Sequence, residues 1–149
     1  MGNTIHGERV NDIYMGLCSL CDYGENVGVL NEYERTIFVT QELESEVNNG
    51  GFAQFFDNSS GQFAGELVRA FTAIGAVKTA EICRKAVAAF PQALPVDWEE
   101  RRALLDEIAD DEVDEMLSAC DDAFYEYEED LEALNAAYIR AHWEHFSLW

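Results

Sequence analysis

Residues 111–146 read DEVDEMLSACDDAFYEYEEDLEALNAAYIRAHWEHF, and the spacing of their apolar members decides the fold. Val113, Leu117, Cys120, Phe124, Tyr127, Leu131, Leu134, Tyr138, Ala141 and His145 follow one another at intervals of four and three. Side chains three and four apart share a helix face, so this alternation is a heptad seam. Unbroken from 111 to 147, the helix would measure roughly 55 Å at about 1.5 Å per residue. The acids fall off the seam. Asp114, Asp121 and Glu128 make one row at seven-residue spacing, Glu115, Asp122 and Glu129 an adjacent one, and Asp111 and Glu126 extend the same face.

Upstream, apolar periodicity again predicts helices. One covers about 8–22, with Val10, Ile13, Tyr14, Leu17 and Cys21 on one side, and DYGEN breaks it. The next runs from about 30 to 48. Its centre, RTIFVT, is β-branched enough for a strand, but Tyr33, Ile37 and Val47 with the flanking acids fit a helix better. Further helices are expected at about 62–74, 76–90 and 98–110. Both prolines lie in FPQALPVDW, residues 90–98, a connector in which Pro91 ends one helix and Asp97 caps the next. The expectation is an all-α single domain over 1–149, a multi-helix bundle with a long acidic C-terminal helix.

Charge is the outlier. Thirty acids against nine Lys and Arg give a formal net charge of −21. Residues 1–96 hold 12 acids and six bases, whereas residues 97–132 hold 17 acids and only Arg101 and Arg102. Such a surface repels nucleic acid and anionic membrane and attracts basic proteins. Even scatter would suggest adaptation to high salt; clustering argues against it. No apolar run approaches the roughly 18 residues of a membrane span, the N-terminus MGNTIHGERV carries no apolar signal region, and His6 breaks a myristoylation pattern. The chain reads as soluble and cytoplasmic, with no direct nucleic-acid binding and no membrane.

Residues 46–61, EVNNGGFAQFFDNSSG, form the other distinctive stretch. Asn48, Asn49, Gly50 and Gly51 suit a helix C-terminus. Phe52, Phe55 and Phe56, spaced i, i+3, i+4, would aim three rings at the core from one or two helical turns. Asn58-Ser-Ser-Gly61 supplies a turn and a cap, so the stretch reads as a hairpin joint between helices. A functional alternative has Glu46, Asn49, Gln54 and Asn58 converging as polar groups, with Glu46 as a base. That enzyme reading has no histidine or nucleophile nearby in sequence.

Metals find little support. Cys18-Ser-Leu-Cys21 could pair with His142-Trp-Glu-His145 as a zinc site, but Cys18, Cys21, Cys83 and Cys120 suit small buried apolar groups better. Residues 110–115 lack the glycine and spaced ligands of a calcium loop. No metal and no cofactor is expected.

The segments EVNNGGFAQFFDNSSGQ, AIGAVKTAEICRKA and DDAFYEYEEDLEALNAAYIRAHWEHF resemble a family of small acidic bacterial proteins whose characterised member is a double-stranded DNA mimic. The likeness spans roughly residues 30–146, and its most specific part is the Asn-Gly-Gly-Phe-x-Gln-Phe core around Gln54. It implies an all-helical fold, leaves a homodimer open, and implies a carboxylate surface that occupies the DNA site of a transcriptional regulator. In that reading Asp111, Asp114, Glu115, Asp121, Asp122, Glu126, Glu128 and Glu129 face a basic DNA-binding protein, a transcription factor or nucleoid-type protein. The motif from Asn48 to Asn58 is structural. Two other classes compete: an immunity or inhibitor protein against a basic nuclease toxin, and a plain oligomeric scaffold. Carboxylates three or four apart on a helix lie about 5–6 Å from each other, close to the separation of successive phosphates on one DNA strand.

Overall fold

A computed structural model describes residues 7–146; the segment 1–6, on which the signal and acylation readings fall, and residue 147, the end of the expected long helix, lie outside the described residues. The described residues form seven α-helices and no strand: α1 (Gly7–Leu20), α2 (Glu32–Asp57), α3 (Leu67–Ala73), α4 (Val77–Ala88), α5 (Trp98–Ile108), α6 (Asp111–Tyr125) and α7 (Leu131–Ala141). Short 3₁₀ segments lie at Val27–Val29, Ser59–Glu66 and Trp143–His145. The all-α expectation holds. No described helix is long and apolar enough to cross a membrane.

Helix α2 is the axis of the bundle, packing against α1, α3, α5, α6, α7 and the Ser59–Glu66 segment. A capping box starts it: the Asn31 side chain accepts from the Tyr33 and Glu34 N–H groups, and the Glu34 carboxylate accepts from the Asn31 N–H at 3.0 Å. The five consecutive residues from Thr36 to Thr40 are all buried. A helix enclosed on every side has no polar face to display, which is why the strand-like composition of this segment misleads. Two of its hydroxyls are satisfied internally, Thr36 on the Glu32 carbonyl and Thr40 on Asn135 of α7.

The NNGGF stretch forms a kink rather than the expected hairpin. Helical hydrogen bonding runs on to Gly50, Gly51 breaks it at φ 83°, ψ 177°, and a second segment begins at Phe52. The Phe52 N–H, orphaned by the break, is taken by the Asp121 carboxylate of α6 at 2.7 Å. A Cβ on Gly51 would stand 2.5 Å from that carboxylate. Phe52, Phe55 and Phe56 are fully buried, as their spacing requires. Their edges and faces meet Phe124 of α6 and Phe90 at the end of α4.

The single long C-terminal helix does not form. Chain 126–130 is a break, with Tyr127 at φ 45°. The Glu129 carboxylate accepts from the Lys78 and Thr79 N–H groups and the Thr79 hydroxyl, and so caps the start of α4 from outside. Asp130 then caps α7 through the Ala133 N–H. Tyr127 donates its hydroxyl to Glu44 and accepts from Asn48. The two halves cover different neighbours: α6 packs on α2 and α4, α7 on α1 and α2. The seam changes phase accordingly. Leu117, Cys120 and Phe124 are buried on α6 as expected, but α7 buries Leu131, Asn135, Ala136 and Ile139 in place of the Leu134–Tyr138–Ala141 line.

Helix α5 is anchored at its start, where the Trp98 indole N–H donates to the Asp57 carbonyl and Arg101 turns inward. Arg101, wholly buried, donates to the Phe56 and Asn58 carbonyls at the end of α2 and to the Pro95 and Val96 carbonyls of the proline connector. It satisfies the orphan carbonyls of α2 and ties the connector down together.

Replacing Gly51 by Ala should cost about 2–4 kcal/mol in urea denaturation, combining a left-handed backbone with loss of the Asp121 cap. Gly65→Ala, where a Cβ meets open space, should change stability by less than about 1 kcal/mol. Three carboxyls are held above their ordinary range, each mainly by burial: Glu42 despite a Tyr14 hydroxyl bond, Glu44 despite one from Tyr127, and Asp121 despite the Phe52 N–H. A raised carboxyl favours the fold below its unfolded pKa and loses that contribution as pH climbs through the folded value. Glu129 runs the other way: burial lifts it, but the Thr79 and Lys78 donors outweigh this and lower it, so its contribution fades only under stronger acid. The melting temperature should therefore rise as pH falls from about 7.5 to about 5, and a Glu42→Gln, Glu44→Gln double variant should show a flatter slope in a calorimetric pH series.

Candidate functional site

The acidic surface is built by α5 and α6, which are separated only by Ala109 and Asp110. Asp97 and Asp110 cap them, accepting from the Glu100 and Glu112 N–H groups. On α6 the buried line of Leu117, Cys120 and Phe124 fixes the rotation. Asp111, Glu115 and Asp122 on the opposite side, and Asp114 on the flank, are all exposed. Between Asp111 and Asp122 the row extends about 16 Å along the axis, three turns of helix at about 1.5 Å per residue.

The eight acids singled out from the sequence divide into three groups. Asp111, Asp114, Glu115, Asp122 and Glu126 are exposed, and none makes an ion pair with a described residue. Glu128 is exposed in the break and lies 3.8 Å from Lys78. Asp121 and Glu129 are half-buried and committed to backbone N–H groups of α2 and α4. The seven-residue rows therefore end where α6 ends, since Glu128 and Glu129 belong to the break. Sequence periodicity passed over the acids of α5 and of the turn. Asp106, Glu107, Asp110 and Glu112 are exposed as well. Their signal was compositional: they are among the 17 acids of residues 97–132.

Of the two arginines in that segment, Arg101 is buried, so its charge is spent on carbonyls. Burial pushes its pKa down, while the Asp97 and Asp57 charges pull it back. Arg102 lies over the Trp98 ring and 3.7 Å from Asp57. The exposed face of α6 is left without a cation of its own helix.

The polar cluster around the kink forms in part. Gln54 and Asn58 both donate to one oxygen of Glu46, at 3.0 and 2.9 Å. Asn49 is exposed and stands outside this cluster. Glu46 precedes Gly51 whereas Gln54 and Asn58 follow it, so the three side chains brace the bend. Asn48 is occupied with the Tyr127 hydroxyl at 2.7 Å. Gly50 has its own constraint, because a Cβ there would collide with the Gln54 side chain.

Cys18 and Cys21 are buried in the core, and burial raises both thiols. His142 and His145 flank the Tyr33 ring at centroid distances of 4.7 and 3.9 Å. Among the described residues no group of three or more His, Cys, Asp or Glu is arranged to hold a metal ion. The acids 111–115 are helical, which leaves no loop to wrap a cation.

No curated protein and no solved structure matches the chain significantly. Residues 29–142 match the family described as DMP19-like protein. The matched span includes the capping box, the Gly51 kink, the Arg101 anchor and both acidic helices. The chain belongs to the DMP19-like protein family.

Proposed function

We propose that this protein is an acidic protein-binding module, a mimic of double-stranded DNA that occupies the nucleic-acid site of a basic DNA-binding protein such as a transcription factor. The observation that carries this reading is the set of exposed carboxylates on α6, Asp111, Asp114, Glu115 and Asp122, joined by Glu126 at its end, with no cation paired to them among the described residues. Acids i, i+3 and i+4 apart on one helix repel one another. The fold tolerates that repulsion because Leu117, Cys120 and Phe124 anchor the opposite face. Membership of the DMP19-like family is compatible with mimicry.

The mimicking surface is shorter and broader than a single rod. About 16 Å of α6 supplies a row of carboxylates, and exposed Asp106 and Glu107 of α5 add a second patch beside it. A positively charged groove made for two phosphate strands meets charge from more than one direction. Affinity from such contacts falls steeply with salt, because the charges are solvent-exposed and screened.

Capture from a bacterial lysate tests the proposal. The native chain should retain basic DNA-binding proteins at low ionic strength and release them to added duplex DNA. A variant carrying Asp111→Asn, Asp114→Asn, Glu115→Gln, Asp122→Asn and Glu126→Gln should recover at least about tenfold less. Equal recovery by both chains would discard the acidic-surface mechanism. Glu129→Gln should instead lower the melting temperature, since it weakens a cap made by the charged carboxylate.

A further inference from the structure

Beside the acidic row lies a groove that charge alone does not explain. A cleft of about 490 Å³ opens between the end of α2, α5 and the first turn of α6, and a second of about 430 Å³ adjoins it, sharing Phe90, Ile108, Asp110 and Val113. The floor is apolar. Leu105 and Ile108 of α5 and Val113 of α6 are only half-buried, and Met116, at the far end, is 46% exposed. Helix α5 is the cause: its one fully buried residue is Arg101, so its aliphatic side remains partly uncovered.

The rim is acidic. Asp57, Asp110 and Asp114 border the first cleft, Asp110 and Glu112 the second, and no Lys, Arg or His lines either. Of the rim acids, Asp57 lies 3.7 Å from Arg102, and Asp110, Glu112 and Asp114 make no ion pair with a described residue. We infer that this groove receives an amphipathic cationic helix of the partner protein, one aliphatic or aromatic side chain entering the floor and lysines or arginines meeting the rim. Charge complementarity selects a cationic ligand, and two adjoining clefts that share a wall suit a ligand with more than one anchor, as an amphipathic helix has, better than a compact molecule. The inference rests on the acidic-surface reading for the partner's charge, but adds what that reading lacks: a contact that salt does not screen, since apolar burial is not electrostatic.

The test uses the full chain and two labelled amphipathic helical peptides, one of lysine and leucine, the other with its leucines replaced by alanine, followed by fluorescence anisotropy at about 0.1 M and about 1 M salt. The leucine peptide should bind about ten- to a hundredfold more tightly, the worth of burying one aliphatic side chain, and should keep that margin in high salt. Ala53→Phe, which fills the first cleft from an exposed position without changing charge, should abolish the margin. Met116→Lys, at another exposed position, should reduce it. Glu115→Gln with Asp122→Asn, away from the groove, should weaken both peptides at low salt and leave the margin intact. Equal binding of the two peptides at both salts overturns the groove whatever those acid variants do. Loss of the acid-variant effect with the margin retained overturns the charge reading instead. A change of sedimentation in Ala53→Phe alone would make the groove an interface between copies and also overturn the inference.

Discussion

The contact on which the rest depends is the one between the Asp121 carboxylate and the Phe52 N–H beneath Gly51. A central helix that bends must leave N–H groups without partners at the bend, and an orphan N–H away from water costs about as much as a lost hydrogen bond. Asp121 meets that need from another helix, and so one hydrogen bond fixes three things: the bend in α2, the inward aim of Phe52, Phe55 and Phe56, and the position of α6 against α2. Because Asp121 faces inward, Asp122, one residue on, faces solvent. The acidic face is thus oriented by one of its own acids.

The same division recurs throughout the acidic half. Asp97, Asp110 and Asp130 each cap the helix they precede, and Glu129 caps α4 from a distance. Helix N-termini carry partial positive charge, so a chain poor in Lys and Arg still finds favourable partners for its carboxylates in its own backbone. What the caps do not consume is displayed outward. An acid count alone therefore overstates the surface available to a partner, and hydrogen-bond partners decide which carboxylates remain free.

Arg101 is the counterpart. Its buried guanidinium serves four carbonyls from two segments, where a lysine would offer three donors without the planar fork. Gly61 reflects how tightly that anchor is enclosed, since a Cβ there would stand 2.6 Å from the Arg101 Nε. Leu105 and Ile108 pack only part of their surface against the core, so the aliphatic side of α5 stays half-open.

By itself the sequence determined the helical class, the N-terminal, α4 and α5 helices to within about two residues, the proline connector, the burial of the three phenylalanines and the concentration of acids in residues 97–132. Those follow from local periodicity and turn chemistry, which every segment carries within itself. Only the tertiary structure decided that α2 bends and continues at Gly51, that residues 111–146 make two helices, and that Asp121 and Glu129 turn inward. The heptad spacing runs unbroken through 126–130, yet that segment cannot stay helical while Glu129 reaches the Lys78 and Thr79 N–H groups and α7 covers α1. A break set by partners some fifty residues away leaves no mark in local spacing.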